Sequence, residues 1–508
     1  MVSRPLAPNL QCPGPLLSGT ISPISPLSIS PRFEDEQEGL FFQKYLEIAA
    51  HIRGPIFTSL WEILIPQASE AETYIRHSAV AVGAMSKSLA DLRLEREGFH
   101  SPLLSQNSNY IYALKQYDNA LRGMRQAINE GRTNMRNALF ACLLIFCFEN
   151  MSGKPAAAAA NAISGLVLVY DMLCKTKDRS APDWIKRQLE HHHIEDDLQS
   201  TVVGLDLHVI FIMNDKVEAF NEIYIAGSDF AITSMPEKIL DLKIARHCWM
   251  VIMGRNHHFL QKVVQAGRAL ARSKAKEHDE DAPSEKEPDL SPGVNMFCTL
   301  EHPPVHMVPE VFRYREHIRR WNRATSSLFS GILKTGTQEE KTAVHLLQIS
   351  ESLAHVMLGG AFCATQSAYD QFLPEYQKII DSVELVYPHL VEAYNGEPLY
   401  RFDLGIIIAL FLVGGRCRER AIRERAARML NANKDYREGM WDTGSAGAIL
   451  DYIIEVEEEK RDEHGEIAEE DKVAVARGQL DLPHRRGLIK VTLRRKEGLV
   501  HREKAISW

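Results

Sequence analysis

The apolar residues of this chain follow a helical period over most of its length. In one segment five of them recur at offsets of 0, 3, 10, 13 and 17, which places them on one face of a helix. Asn107 or Ser108, directly before this segment, is expected to cap the helix, because either side chain can accept a hydrogen bond from a free N–H group. The five apolar residues are Ile111, Leu114, Leu121, Met124 and Ile128.

The rest of the pattern predicts more helices and very little sheet. A fully apolar helix is predicted over 137–148, and Pro155 stands at the first position of an alanine-rich helix that runs toward Leu173. Alternation typical of a strand is confined to 488–493, and no fixed-period repeat is visible. We therefore predict a mainly α protein, a large array of packed antiparallel helices. Further helices are predicted over 310–330, 339–363 and 374–387.

Two irregular stretches divide the chain. Residues 1–33 are rich in Ser and Pro and are predicted to form a disordered tail. Residues 273–309 mix charged residues with prolines and are predicted to form a flexible surface insertion. The predicted order is therefore a tail, a first helical part, the insertion, a second helical part and a charged C-terminal segment. The first helical part is 34–272, the second helical part is 310–460 and the charged C-terminal segment is 461–508.

Composition and charge narrow the function classes. The net charge of −8 over 508 residues offers no global attraction to nucleic acid or to an anionic membrane. The eight cysteines are scattered without a Cys-x-x-Cys pair, which predicts reduced thiols. The longest apolar runs fall short of the roughly 20 residues that a membrane-spanning helix needs, and we expect no membrane association.

Motifs near both ends of the chain carry a resemblance to a known family. Toward the N-terminus, Trp61 is followed by Leu64-x-Pro66-Gln67 and by a segment that begins Ile75-Arg76-His77. Toward the C-terminus the motif residues are Cys417, Arg418, Arg423, Arg437, Glu438, Gly439 and Trp441. In this order they resemble the regulatory region of fungal binuclear zinc-cluster transcription factors, from about residue 38 to about residue 494. The resemblance implies a structural role for these residues within that region.

The sequence departs from this family in one decisive way. The family's zinc cluster needs six closely spaced cysteines, whereas Cys12 is the only cysteine before Cys142. Neither zinc nor sequence-specific DNA reading can therefore be carried over to these residues. Two explanations stay open: a cluster encoded upstream of Met1, or a regulator without a cluster that reaches DNA through a partner.

The leading hypothesis is a fungal transcriptional regulator that controls a specific gene set, such as a metabolic or biosynthetic pathway, through its helical regulatory domain. Its expected partners are other transcription regulators or a small effector, with DNA bound only weakly or indirectly. A homodimer is compatible with this hypothesis, and the expected location is the nucleus, with the cytoplasm as a second compartment. The alternative is a non-enzymatic helical scaffold or accessory protein of a biosynthetic pathway.

Several short patterns could indicate chemistry, but each has a simpler explanation. The tetrapeptide Asp442-Thr443-Gly444-Ser445 matches aspartic proteases, but it occurs once, and Thr443 or Ser445 is better explained as a helix cap. Cys298, His302 and His306 have metal-ligand spacing but are interrupted by two prolines, and residues 191–193 are three histidines in a polar connector. With no other catalytic signature, we expect no enzyme, cofactor or metal site.

Two basic regions could form weak contacts with DNA. The first is an arginine-rich helix over 416–428, in which Glu419–Arg423 and Arg420–Glu424 are predicted i,i+4 ion pairs. We interpret it mainly as a structural helix whose arginines cap neighbouring elements or are solvated. The second, which could also serve nuclear import, consists of Arg485, Arg486, Lys490, Arg494, Arg495 and Lys496.

Overall fold

The protein is mainly α-helical in a computed structural model, which confirms the predicted fold class. The described residues are 33–52, 60–97, 106–132, 134–175, 195–209, 228–229, 231–278, 304–391 and 399–508. Residues 1–32 of the predicted tail and 279–303 of the predicted insertion therefore lie outside them, as do Cys298, His302 and 191–193.

Helices α1 to α7 form the first part of the fold. Asn107 caps α4 by accepting a hydrogen bond from the Tyr110 N–H at 3.1 Å, and Pro155 begins α6, both as the sequence predicts. A single π-helical turn, Leu60–Leu64, precedes α2. The helices are α1 Glu36–Ile52, α2 Ile65–Ala71, α3 Thr73–Glu97, α4 Ser108–Asn129, α5 Met135–Met151, α6 Pro155–Lys175 and α7 Glu195–Val209.

Helices α8 to α14 form the second part. The longest of them, α8, runs into the stretch that the sequence assigned to the insertion, and α9 begins near its other end. They are α8 Leu242–His278, α9 Val308–Thr335, α10 Gln338–Gly360, α11 Leu373–Leu390, α12 Ile407–Arg416, α13 Arg420–Ala432 and α14 Thr443–Glu458. Short 3-10 turns lie at Val305–Met307, Ser367–Phe372 and Glu469–Asp471.

Two small sheets complete the described fold. In the first, the parallel pair of β1 (Leu399–Arg401) and β2 (Tyr436–Glu438) is extended by an antiparallel β3 (Trp441–Asp442). The second is an antiparallel meander near the C-terminus, and it includes the predicted strand 488–493. Its two other strands were not predicted. The meander strands are β4 Val473–Asp481, β5 Arg486–Arg495 and β6 Gly498–Ser507.

Three apolar clusters make up the core. The first joins α1 to α7 and also takes in Tyr400 and Phe402 from the region of β1. The second lies among α8, α9 and α10, and the third joins α11 to α14 and the inner face of the meander. The first cluster is therefore held to the C-terminal part of the chain through the residues around β1. Among the described helices, none is both long and apolar enough to cross a membrane.

Helix α4 buries the predicted face only in part: Leu114 and Met124 pack against the first core cluster. Ile111 and Ile128 are largely exposed, whereas Tyr112, Gln116 and Ala120 are buried. The apolar stripe is shifted because α4 packs closely against α3 with its small and polar residues, so that the bulky residues at the edges of the stripe remain in solvent.

Candidate functional site

The N-terminal motif residues lie in the first core cluster. Trp61 is buried, with its ring 5.5 Å from that of Phe402, and Pro66 is in the first turn of α2. Arg76 donates to a carboxylate oxygen of the buried Glu38 at 3.1 Å. His77 shares a 2.7 Å hydrogen bond with the side-chain oxygen of Gln116.

The C-terminal motif residues Arg437 and Glu438 lie on β2, and each caps one end of another helix. Arg437 donates to the carbonyls of Asn150 and Met151, at 3.1 and 2.8 Å, at the C-terminal end of α5. Glu438 accepts hydrogen bonds from three backbone N–H groups, of Gly405, Ile406 and Ile407, at 2.9–3.0 Å. These groups precede or begin α12, so the carboxylate satisfies donors that a helix N-terminus leaves free.

Gly439 and Trp441 form a tight turn against the first core cluster. Gly439 has a φ of +54°, and a Cβ at this position would overlap the imidazole ring of His208. That ring is hydrogen-bonded through Nε2 to the Phe402 carbonyl at 2.6 Å. The Trp441 ring lies 5.7 Å from that of Phe411. A glycine is therefore required here both by the backbone conformation and by the lack of space.

The arginine-rich region is not one helix, and its arginines are mostly not solvated. Helix α12 ends at Arg416, Cys417 has an extended backbone, and α13 begins at Arg420. Arg418 and Arg423 are buried and both donate to the carboxylate of Glu457, at 2.7 and 2.5 Å. We call Arg418, Arg423 and Glu457 the closed ion cluster.

The closed ion cluster is fully surrounded by protein. Glu457 also accepts the N–H of Val473 at 2.7 Å, which ties the first strand of the meander to α14. Arg423 donates through Nε to the Gly414 carbonyl at 2.8 Å and so caps α12, a role that the sequence predicts for these arginines. Although burial acts against it, the two guanidinium groups lower the pKa of Glu457 to about 2.

The predicted ion pairs of this region are half right. Arg420 and Glu424 are paired at 2.8 Å on the surface, as predicted. Arg423, however, reaches Glu457 rather than Glu419, because Glu419 lies just before the first turn of α13 and its side chain does not cap the helix. A partner 34 positions away is not visible in local spacing.

The second basic region does not present a row of unpaired cations. Four of its six members have carboxylate partners on the meander or on the elements beside it. This pairing leaves little positive charge in the region for phosphate groups. The pairs are Arg485–Asp435, Arg486–Asp481, Lys490–Glu503 and Arg495–Asp471.

The protease-like tetrapeptide is a helix start. Asp442 caps α14, and its carboxylate accepts the N–H of Ser445 at 2.8 Å and the Ser445 hydroxyl at 2.7 Å. The sequence predicted Thr443 or Ser445 as the cap, one or three residues too late. Thr443 instead donates its hydroxyl to the Tyr436 carbonyl at 3.0 Å. This is the geometry of a cap rather than of an acid dyad.

The most unusual chemistry was missed by the sequence reasoning. Residues 251–261 in the middle of α8 are all buried, although five of them are polar. We call them the central polar cluster: Arg255, Asn256, His257, His258 and Gln261. The signal in the sequence is the run Arg-Asn-His-His, which interrupts an otherwise apolar helix. A helix that is buried on all sides is normally apolar all round.

The members of the central polar cluster face different neighbours. His258 is 2.8 Å from a carboxylate oxygen of Asp206 on α7, and His257 is hydrogen-bonded to the Met253 carbonyl. Burial lowers the pKa of His257 to about 4, so this ring is neutral at pH 7. Both amide atoms of Asn256 are buried without a hydrogen-bond partner in the described part of the chain. Buried amides of this kind are uncommon in folded proteins.

Arg255 is itself buried, but its carboxylate partner is exposed. Its guanidinium lies over the ring of Tyr314 on α9, 5.2 Å from the ring centre, and forms an ion pair with Asp229. His317, one turn further along α9, has its ring 6.0 Å from that of Tyr314. Burial, together with the charges of Arg255 and Arg313, lowers the pKa of His317 to about 4. These groups can bind an anion or a polar ligand.

Neither the closed ion cluster nor the central polar cluster forms a metal site or a catalytic arrangement among the described residues. No group of three or more metal-binding side chains converges there. Five cysteines, Cys142, Cys147, Cys248, Cys363 and Cys417, are buried, and burial raises the pKa of each of these thiols, which disfavours the nucleophilic thiolate. Comparisons with family models, with curated proteins and with solved structures found no match.

Proposed function

We propose that the protein is a fungal-type transcriptional regulator that acts through its helical body, by contacting other regulators or a small effector. The observation that carries the proposal is that both groups of motif residues contact the first core cluster. Trp61 packs on Phe402, and Arg437 caps the C-terminal end of α5, although these residues are far apart in the sequence. Motifs that belong to one regulatory region should be parts of one domain, and this contact supports that expectation.

The charges favour an indirect route to DNA. The net charge is −8, Arg418 and Arg423 are buried, and most of the second basic region is ion-paired. A chain with these properties should bind phosphate groups weakly and without preference for a base sequence. The regulator would therefore act in the nucleus on a specific gene set, such as a metabolic pathway, through a DNA-bound partner.

Deletion of the gene tests the proposal in cells that carry it. We expect a small set of transcripts to change and to be restored by the wild-type gene. Glu457→Gln, which breaks the closed ion cluster, should fail to restore them, whereas Glu424→Gln, which removes an exposed partner of Arg420, should restore them. Unchanged transcripts in cells that express the protein, together with its exclusion from the nucleus, would favour the scaffold instead.

Binding to random DNA tests the indirect route separately. At near-physiological salt, the purified chain should enrich no defined sequence from a random DNA pool, because it presents no groove-reading element among its described residues. Enrichment of a reproducible motif would contradict this part of the proposal. The transcript experiment would remain valid in that case, so the two parts can fail independently.

A further inference from the structure

The ion pair between Arg255 and Asp229 is asymmetric. Arg255 is 1% exposed, whereas the side chain of Asp229 is 58% exposed. The pair therefore faces solvent through Asp229, while the guanidinium itself is buried. A guanidinium with this environment is a preformed receptor for a carboxylate, because its planar fork presents parallel N–H groups.

Asp229 does not use all the donors around it. The Nε of Arg255 and the Nδ1 of His317 are buried atoms with no hydrogen-bond partner in the described ranges. A buried donor without a partner costs about 1–3 kcal/mol, so a ligand that accepted a hydrogen bond here would recover part of that free energy. The ring of Tyr314 lies against the guanidinium, with its centre 5.2 Å from Cζ of Arg255.

The local charge also favours an anion. Arg255, Arg313 and Arg320 all act on His317 with a positive charge, against the one negative charge of Asp229 that acts on the same ring. Glu310 acts on Tyr314 nearby. The region thus has an excess of positive charge in a protein whose net charge is −8. Such a local excess concentrates small anions.

We propose that Arg255, Tyr314 and His317 form a binding site for a small carboxylate, which Asp229 occupies as an intramolecular carboxylate. A free carboxylate would replace the side chain of Asp229, accept the N–H groups of Arg255 and take a further hydrogen bond from His317. The segment that carries Asp229 stays attached meanwhile, because Arg320 donates to the carbonyls of Ile232 and Met235. This binding does not depend on the proposed regulatory function, although a regulator would use it as an effector site.

Calorimetric titration of the purified chain with succinate, at constant ionic strength, tests the site. Asp229→Asn removes the competing carboxylate and should strengthen succinate binding by about tenfold, since the free form of the site becomes more populated. Asp118→Asn is the matched control, because Asp118 is a similarly exposed partner of another arginine, Arg122. It should bind succinate with the wild-type affinity.

The double variant D229N/R255Q should lose the gained affinity. If it does not fold by circular dichroism, D229N/H317A takes its place, because His317 is only half-buried, and its affinity should fall below that of D229N. The proposal is overturned by equal succinate affinity in wild type and D229N, by no binding to folded D229N, or by binding that survives R255Q or H317A. It is also overturned if the uncharged succinamide binds equally well, or if inorganic phosphate binds where succinate does not.

Discussion

Two buried arginine sites in this protein have the same chemistry and opposite surroundings. In the closed ion cluster, Glu457 is fully buried and accepts from Arg418, Arg423 and a backbone N–H group. At Arg255 the cation is buried, but its carboxylate partner is exposed. A closed set of charges holds chain segments together, whereas an open set retains capacity for a ligand. The comparison teaches that the partner's burial, rather than the arginine's, separates a structural site from a binding site.

The largest expected loss of unfolding free energy is for a substitution of Glu457. Glu457→Gln keeps the shape of the side chain but removes the charge that Arg418 and Arg423 share, and it leaves Arg423 only its 3.6 Å pair with Glu458. Removing one partner of a buried ion pair typically costs about 3–5 kcal/mol. Urea unfolding should show a loss of this size relative to wild type, with little change for Glu424→Gln on the nearby surface. Equal midpoints for the two variants would mean that the closed cluster is not structural.

Gly439→Ala tests the tight turn that packs against His208. The alanine methyl would overlap the ring of His208, and the left-handed backbone conformation disfavours a side chain. Overpacking of this kind costs about 1–3 kcal/mol. Gly465→Ala, which also has a positive φ but no atom within 4 Å of the added Cβ, isolates the backbone contribution in the same unfolding experiment. A loss at position 439 no larger than at 465 would contradict the steric argument.

Local patterns predict much of this fold, and the failures have physical causes. The cap at Asn107 and the start of α6 at Pro155 depend on a few adjacent residues, so they can be recognised in the sequence. The last strand of the meander cannot, because it is an edge strand with charged residues toward both faces and lacks the alternation that burial imposes.

The candidate sites were hidden for a related reason. Partners such as Arg423 and Glu457, or Arg255 and Asp229, are chosen by packing between distant segments, and local spacing instead suggests Glu419 for Arg423. The run Arg-Asn-His-His in α8 is visible, but its meaning depends on burial. On the surface of a helix the same four residues would be unremarkable.

The central polar cluster and the closed ion cluster should lose stability in different pH ranges. Burial keeps the pKa of His257 at about 4, below its unfolded value of 6.5, so the unfolded chain takes up a proton first as the pH falls. Stability from this group is full above pH 6.5 and is lost toward pH 4. His208 and His317 add to the same loss. Glu457 acts in a lower window, since its stabilisation is full above 4.5 and is lost toward about 2.

The variant His257→Gln tests the loss of stability that is expected between pH 6.5 and pH 4. Between pH 7 and pH 5, the unfolding free energy of this variant should fall less steeply than that of wild type. The difference in slope corresponds to the uptake of about one proton fewer on unfolding. His464→Gln, at an exposed position, should retain the wild-type slope. Glu457→Gln should also retain it, because Glu457 titrates lower. An unchanged slope for His257→Gln would show that this ring is protonated in the folded protein.

The smallest expected effect is the stability change of Asp229→Asn, and it tests the open site directly. If Arg255 were closed off like Arg423, removing its partner would cost as much as Glu457→Gln. Because Asp229 is largely exposed, water already screens its charge, and the loss should stay within about 1 kcal/mol. Urea unfolding in low and high salt measures it, and the difference from wild type should shrink as salt screens the exposed carboxylate. A loss near that of Glu457→Gln, insensitive to salt, would make both arginine sites structural and would remove the contrast between them.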